Sequence, residues 1–317
     1  MTAVPPAPSP GPAGATPPAP TGGTPGRDQW SRWVLRERFG GDEALRDGFV
    51  AYLGPVRDRV LDGASISPGQ TVADVGCGDG LLGLAALDRV GPTGYVLFSD
   101  VSTDLLECCR TLTAAAGAQS RSRFVPTALP ELAGIPDGAA DAVVLRSVLS
   151  YVPDKAASLR HLHRVLRPGG RLSLFEPITS FSAPEPPGWL WGFDLTGLEP
   201  AAAAVHAAYT AHTSGEHPDP MLGFDERDLL TWAEQAGFDD LTLTYEARLD
   251  SHHPAAGADL PSLLARSPNP LVPTLGQLLT EALTDADRAT VEHRLTHALT
   301  TGRGRTRQAV TYLTAHT

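Results

Sequence analysis

The chain has 317 residues, 42% of them hydrophobic and 19% charged, which is enough to bury the core of one or two domains. It has no apolar run of the length that crosses a membrane and no basic stretch followed by an apolar core at its N-terminus, so we expect neither membrane insertion nor secretion. A formal net charge of −11 disfavours nucleic acid as a partner. The three cysteines, Cys77, Cys108 and Cys109, have neither disulfide nor metal-ligand spacing, which favours a reducing cytoplasm and no bound metal.

Residues 1–27 differ in composition from the rest of the chain. They are almost entirely Pro, Ala, Gly, Thr and Ser, without the apolar periodicity that stabilises a fold, and we expect a disordered tail. Residues 28–317 are predicted to form one domain, whose first part, residues 28–66, is a helical cover. This cover contains a helix around Trp30 and a second helix from about Asp42 to Leu61.

Short apolar runs then alternate with longer amphipathic segments. This alternation predicts βαβ units around a parallel sheet. The predicted strands are Thr71–Val75, Tyr95–Ser99, Ala142–Leu145 and Arg171–Phe175, and the helices between them are Leu81–Val90, Asp104–Ala116 and Lys155–Leu166.

Two long connections interrupt the alternation. Residues 178–224 are too many for a simple loop, so we expect a lid with structure of its own. After a capped helix over Asp225–Ala236, two further strands are predicted at Leu241–Leu249 and Thr306–Thr314. A hairpin turn cannot join strands so far apart, and the connection, residues 250–305, is therefore predicted to be a helical insertion.

A glycine-rich stretch, Val72–Leu82, lies where the first predicted strand ends and a helix begins. Gly76, Gly78 and Gly80 let a ligand approach bare backbone and allow turn conformations that side chains disfavour. A nucleoside ligand is the natural interpretation.

Two ligand classes fit this stretch, because Gly78–Gly83 also has the G-x-G-x-x-G spacing of dinucleotide sites. Asp79 and Asp74 would repel an anionic pyrophosphate at the helix N-terminus, but they favour the cationic sulfonium and ammonium groups of S-adenosylmethionine. Electrostatics therefore favours the methyl donor over a pyridine dinucleotide. Asp100, after the next strand, can accept hydrogen bonds from both ribose hydroxyls of either ligand.

Four motifs in this order resemble the class I S-adenosylmethionine-dependent methyltransferases that act on small molecules. The motifs are Val72–Gly80, Tyr95–Ser102, Asp141–Ser147 and Arg164–Leu172. The resemblance implies an α/β, Rossmann-like fold with a seven-stranded, mostly parallel sheet, helices on both faces and an antiparallel last strand. To this core the chain would add the N-terminal helical cover and an acceptor lid.

The resemblance also implies S-adenosyl-L-methionine as cofactor. Many members hold its adenine with an acidic residue after the third strand, but Thr127–Pro130 contains none, so backbone at Ala128 and Leu129 is the expected partner. Gly76, Gly78 and Gly80 would meet the methionine moiety, and Asp100 the ribose. The full set of expected cofactor-binding residues is Asp74, Gly76, Cys77, Gly78, Gly80, Asp100, Val101, Ala128, Leu129, Arg146 and Ser147.

The lid indicates the class of methyl acceptor. It holds a large share of the aromatic residues, and no Lys or Arg occurs between Arg171 and Arg227. Phosphorylated acceptors need such cations, unless a metal or residues elsewhere supply the charge, so we expect a neutral or cationic hydrophobic small molecule, a specialised metabolite. A homodimer is compatible with these observations.

The sequence contains no strongly diagnostic general base. Glu176 is the first candidate, because it ends the fifth strand at the carboxyl edge of the sheet, although a role in orienting a loop is about equally favoured. Tyr209 and His212 of the lid are further candidates, with His206 and His217 beside them; each one alone is more often structural.

Other functions stay open at this point. The cofactor's positive charge could steer a cyclisation or elimination without methylation, or the acceptor could be an isoprenoid methylated on carbon. A third class is a cofactor-binding protein without chemistry.

Overall fold

The computed structural model describes residues 28–40, 43–214, 219–252 and 255–317, and the predicted tail 1–27 lies outside them. Its strands are β1 (Thr71–Val75), β2 (Tyr95–Asp100), β3 (Ser122–Pro126), β4 (Ala140–Arg146), β5 (Leu166–Pro177), β6 (Trp189–Leu190), β7 (Phe193–Asp194), β8 (Asp239–His252) and β9 (Arg303–His316). Seven of them form one sheet in the order β3-β2-β1-β4-β5-β9-β8. Neighbouring strands from β3 to β5 are parallel, whereas β9 pairs antiparallel with both β5 and β8. The predicted sheet, with its antiparallel last strand, is confirmed.

Helices lie on both faces of this sheet. They are α1 (Gln29–Leu35), α2 (Glu43–Gly63), α3 (Leu81–Val90), α4 (Thr103–Ala115), α5 (Lys155–Val165), α6 (Glu199–Thr213), α7 (Glu226–Gln235), α8 (Leu260–Leu264), α9 (Leu275–Ala282) and α10 (Asp285–Thr301). In the described ranges, no helix has the length and apolar character to span a bilayer.

Two apolar clusters pack the sheet, one against each layer of helices. Leu162 of α5 and Leu229 of α7 are buried on one face, and Leu61 of α2 and Leu106 of α4 on the other. The central strands carry apolar side chains on both faces, as expected for parallel strands with helices packed against each face of the sheet. This double packing fixes the carboxyl ends of β1, β2, β4 and β5 at one edge.

A third cluster joins the lid to the insertion. Phe193 and Leu195 of the lid are buried together with Leu275 and Leu295 of the insertion. The lid contains the β6–β7 hairpin and α6, and the insertion contains α8, α9 and α10. The two segments therefore form one layer, although residues 225–249 separate them in the chain.

The last two strands run further than predicted. Beyond the sheet, β8 and β9 continue as a two-stranded ribbon in which Asp250 pairs with Thr306 and His252 with Arg303. Many side chains of this ribbon are exposed. A ribbon with solvent around it lacks the apolar pattern of a buried strand, so the sequence underestimates its length.

Candidate active site

A tight bend at Gly76–Gly80, here called the glycine loop, follows β1. Gly76, Gly78 and Gly80 have φ angles of 67°, 55° and 92°. A Cβ atom on Gly76 would lie 2.5 Å from Cγ2 of Val148, so a side chain is excluded there by contact as well as by backbone conformation. The space beside Gly78 is open, which leaves its backbone accessible to a ligand.

Asp74 is buried beneath the glycine loop. Its Oδ2 atom accepts a hydrogen bond from the Gly83 amide at 2.7 Å, which ties the start of α3 to the end of β1. Burial raises the pKa of Asp74 to about 7, and the nearby Asp100 carboxylate acts in the same direction. A carboxyl group with this pKa gains negative charge readily when a cation approaches.

Asp100 ends β2 directly beside the glycine loop. Its Oδ2 accepts the Gly78 amide and its Oδ1 the Ser102 amide, both at 2.9 Å, and burial raises its pKa. Each oxygen keeps a second lone pair for another donor. The cover fixes this turn from outside, because Ser102 Oγ donates to Asp28 Oδ2 at 2.7 Å and Asp28 caps α1.

The other expected cofactor-binding residues offer different groups. The Cys77 thiol is buried with its Sγ 3.9 Å from Sγ of Cys109, so only the backbone of Cys77 faces a ligand. Val101 is 52% exposed at the end of β2, which leaves an apolar surface there. Ala128 is exposed and Leu129 partly buried in the segment after β3.

Glu176 holds the loop after β4 in place. This side chain is fully buried; Oε1 accepts the amides of Val148 and Leu149 at 2.8 and 2.9 Å, and Oε2 accepts the amide and hydroxyl of Ser150 at 3.1 and 2.8 Å. Burial raises its pKa, against the effect of these hydrogen bonds. Four donors already occupy the two oxygens, so the geometry favours the loop-orienting role over that of general base.

A cavity of about 1370 Å³ adjoins this loop. Arg146 and Ser147, which the sequence predicted at the cofactor edge, lie on its wall. The cover and the lid supply most of the rest, with Trp33, Phe49, Trp189, Trp191 and Phe193 among their aromatic side chains, and the loop after β4 adds Tyr151. A mostly apolar cavity of this size suits an organic molecule with several rings.

Five arginines also line the cavity. They are Arg38 of the cover, Arg146 of β4, Arg266 of the insertion, and Arg305 and Arg307 of β9. The expectation of a neutral or cationic acceptor relied on the lack of Lys and Arg in the lid. The fold brings cations from four other segments, which is the exception that the sequence left open.

Arg38 and Arg146 lie near the glycine loop and near each other. Burial first, and then the Arg146 charge, lower the pKa of Arg38 to about 10. The Arg38 guanidinium also lies 4.2 Å from the ring centre of Phe49. Within the described ranges neither arginine forms an ion pair with an acidic side chain. Two neighbouring cations favour an anionic group between them.

The lid candidates separate into residues inside and outside the cavity. Tyr209 lines the cavity, and its hydroxyl donates to Oδ2 of Asp219 at 3.2 Å. Burial and this carboxylate raise the pKa of Tyr209 far above its usual value, so the Tyr209 hydroxyl is a poor base. His212 is not on the wall, and its Nε2 lies 2.9 Å from Oε2 of Glu281. His217 lies outside the described residues.

His206 lines the cavity with a carboxylate behind its ring. Its Nε2 lies 2.8 Å from the Trp189 carbonyl, which can only accept, so Nε2 carries the proton and Nδ1 is the free acceptor of the neutral ring. Oε2 of Glu185 lies 3.6 Å from Nε2, and the Trp191 and Gly192 amides each donate to Glu185 at 2.6 Å. Glu185 is thus placed to orient His206 and to stabilise its protonated form.

Comparisons with known sequences identify related proteins. A family profile described as a methyltransferase domain matches residues 73–172, from β1 into β5. The ubiquinone/menaquinone biosynthesis C-methyltransferase UbiE of Vibrio cholerae is 30% identical over 190 residues, which cover 57% of this chain and 69% of that protein. Nocamycin O-methyltransferase of Saccharothrix syringae is 32% identical over 176 residues, which cover 53% of this chain and 60% of that protein.

Solved structures share the fold. The geranyl diphosphate C-methyltransferase of Streptomyces coelicolor A3(2), in complex with Mg²⁺, geranyl diphosphate and S-adenosyl-L-homocysteine, superposes with a TM-score of 0.50. It is 14% identical in sequence, and the match covers 90% of this chain and 89% of that one. At this identity the likeness concerns the fold alone.

Proposed function

The chain belongs to the class I S-adenosylmethionine-dependent methyltransferases, and from this premise we propose that it methylates a hydrophobic small molecule, a specialised metabolite. One observation carries the proposal: the aromatic cavity of about 1370 Å³ adjoins the Arg146–Ser147 loop, at the edge of the sheet that we assign to the cofactor. An acceptor held in this cavity lies beside the methyl donor. The cavity supplies area for hydrophobic binding and excludes water.

The residues at the glycine loop fit the cofactor. The open backbone at Gly78 and the remaining lone pairs of Asp100 match a methionine moiety and a pair of ribose hydroxyls. Val101 offers an apolar surface to adenine, with the backbone of Ala128 and Leu129 beside it. Arg38 and Arg146 are assigned to the methionine carboxylate. When bound, S-adenosylmethionine supplies an electrophilic methyl group.

Positioning is the main contribution of the protein to the rate. Methyl transfer is an in-line displacement, and holding the acceptor atom near the methyl carbon can supply several kcal/mol of the barrier reduction. Tyr151 and Trp33 line the cavity with ring centroids 6.3 Å apart, and Trp30 packs behind them with its ring centroid 5.1 Å from that of Tyr151, so that the aromatic cluster forms one wall. Glu176 acts indirectly, by holding the loop that carries Arg146.

His206 is the proposed general base. Its Nδ1 accepts the proton of a hydroxyl or of an acidic carbon on the acceptor, and Glu185 stabilises the imidazolium that forms. Tyr209 hydrogen-bonds Asp219 and shapes the wall, and His212 has no part in the reaction. A base within the lid is available to O- and C-methylation alike.

A labelled donor tests this function. S-adenosylmethionine with a deuterated methyl group is incubated with the protein and a panel of hydroxyquinones, phenols and enolisable ketones, and products are analysed by mass spectrometry. We expect a product that carries the label. Conversion without label would instead indicate a non-methylating cyclisation or elimination. Donor binding without conversion of any panel member would indicate a cofactor-binding protein.

The proposal places the enzyme in the cytoplasm. Cys77 and Cys109 are free thiols although their sulfurs lie only 3.9 Å apart, which fits a reducing compartment. A net charge of −11 fits a small-molecule acceptor better than nucleic acid.

A further inference from the structure

Two arginines of β9 form a cationic wall of the cavity away from the glycine loop. Arg305 and Arg307 both line the cavity, and as residues two apart on one strand they present their side chains on the same side. Arg305 is exposed, whereas Arg307 is partly buried. The Arg38–Arg146 pair, assigned above to the cofactor, belongs to other segments of the chain.

Aromatic rings of the lid hold both guanidinium groups. The Arg305 guanidinium lies 4.5 Å from the ring centre of Trp189, and that of Arg307 lies 5.2 Å from the ring centre of Phe181. Nη2 of Arg307 also donates to the Phe181 carbonyl at 3.3 Å. Side chains fixed in this way lose little freedom when they bind an anion.

The charge of these two arginines is not neutralised by an acidic side chain in the described part of the chain. Among the described residues, neither forms an ion pair with Asp or Glu. Nε of Arg307 is moreover buried without a hydrogen-bond partner in this part of the chain. A buried donor of this kind is costly unless an acceptor reaches it, so the site is incomplete without one.

The acidic residues of the cavity wall already have other partners. Three acidic side chains line it: Glu185 accepts the Trp191 and Gly192 amides, Glu199 accepts the Gly197 amide, and Asp219 accepts the Met221 amide and the Tyr209 hydroxyl. In the ranges that the structure describes, no carboxylate of the wall therefore pairs with Arg305 or Arg307. An anion that enters the cavity would meet charge-assisted donors.

We infer that the methyl acceptor carries a carboxylate, which Arg305 and Arg307 bind at the far wall of the cavity. This inference rests on the proposed function, because it names the charge class of the acceptor. A planar carboxylate matches the planar donor fork of arginine, and the aromatic walls beside the two guanidinium groups suit the apolar body to which it is attached. The site also sets the orientation of the acceptor, with its anionic end away from the methyl donor.

A matched pair of fluorescent probes tests the inference. 9-Anthracenecarboxylate and 9-anthracenemethanol share the same rings and differ in charge. Each is titrated into the full chain with saturating S-adenosylhomocysteine, which occupies the cofactor site and blocks Arg38 and Arg146. We expect the carboxylate to bind about tenfold more tightly than the alcohol, the range of a hydrogen bond to a charged group.

Variants assign this preference to the two arginines. Arg307→Gln, alone and with Arg305→Gln, is expected to abolish the preference for the carboxylate while the alcohol binds as before. Arg303→Gln is the matched control, because Arg303 lies on the same strand, is exposed and does not line the cavity. Equal binding of the two probes to the unaltered protein, or an equal loss in the control, would overturn the inference.

The proposed function fails in a different way. It fails if the protein does not bind S-adenosylhomocysteine or transfers no labelled methyl group. The carboxylate site fails if the cofactor binds normally and the probes show no dependence on Arg305 and Arg307. Unchanged affinity of the variants for S-adenosylhomocysteine also shows that they are folded.

Discussion

Single side chains decide the electrostatics of the cofactor site. Asp74 is buried under the glycine loop with a pKa raised to about 7, so near neutrality it is only partly ionised. Asp100 is buried beside it, and burial raises its pKa as well. Two buried carboxyl groups repel each other when both are ionised, and an incoming sulfonium and ammonium relieve this repulsion. Asp74 and Asp100 are therefore ionised to a greater extent with the cofactor bound than without it.

Proton release on binding follows from the raised pKa of Asp74. The positive cofactor favours ionised Asp74, so binding lowers its pKa and releases protons just below pH 7. Affinity for S-adenosylmethionine should accordingly rise with pH up to about 7 and stay level above it. Calorimetry in buffers of different protonation enthalpy measures the released protons.

Asp74→Asn provides the control for this experiment. The amide oxygen of asparagine can still accept the Gly83 amide, but it cannot release a proton. We expect the variant to lose the pH dependence. If the variant and the unaltered protein release the same number of protons, Asp74 is not their source.

The role of His206 predicts a selective loss of catalytic rate. His206→Asn should lower kcat about a hundredfold, the usual contribution of a general base, with little change in KM. Steady-state kinetics on an accepted substrate measure kcat and KM.

His212→Asn is the matched control for His206, because it changes the same residue type on the same helix but outside the cavity. Its kcat should equal that of the unaltered protein. A similar loss in both variants would show that helix α6, and not a proton transfer, is responsible.

At the scale of elements, β5 and the loop after β4 act as one unit. Glu176 projects from β5 and binds three consecutive amides, from Val148 to Ser150, so the loop conformation depends on one carboxylate. Arg146 and Ser147 immediately precede these amides, and Ser147 donates its own amide to the Phe175 carbonyl at 2.8 Å. The position of the cavity wall thus depends on strand pairing.

Glu176→Gln distinguishes a positioning residue from a base. The NH2 group of the glutamine would face N–H donors that the carboxylate oxygen now accepts. The free energy of unfolding, measured by urea denaturation, should therefore fall by about 1–3 kcal/mol. Affinity for S-adenosylhomocysteine should fall too, because the loop loses its support. Ser150→Ala removes one of the four hydrogen bonds and should have a smaller effect in the same direction. Unchanged stability with a loss of kcat alone would return Glu176 to the role of base.

Elements also differ in how far the sequence predicts them. The glycine loop and Asp100 lie at strand ends, and their conformation and charge depend on neighbouring residues in the sequence. The residue pattern is therefore sufficient to predict them. Glu176 is at a strand end as well, but its hydrogen-bond partners lie in the loop after β4. The residues next to Glu176 in the sequence give no sign of these partners. The ribbon of β8 and β9 has exposed side chains on both faces and therefore no apolar period that marks its ends.

At the scale of the whole molecule, the acceptor cavity is a product of tertiary structure. The cover, the end of β4, the lid, the insertion and β9 all contribute to its wall. Arg38 and Arg307 come from opposite ends of the chain, so counting charges in the lid alone could not predict the cationic wall. The lid and the insertion share one apolar cluster, and mutations in either should alter the shape of the cavity.

The most direct test of this account is calorimetric titration of the full chain with S-adenosylmethionine and, separately, with NADH. We expect S-adenosylmethionine to bind and NADH not to bind. Asp100→Asn should reduce the affinity for S-adenosylmethionine at least about tenfold, whereas Asp88→Asn, at an exposed position on α3, should leave it unchanged. Binding of NADH together with no binding of S-adenosylmethionine would contradict it.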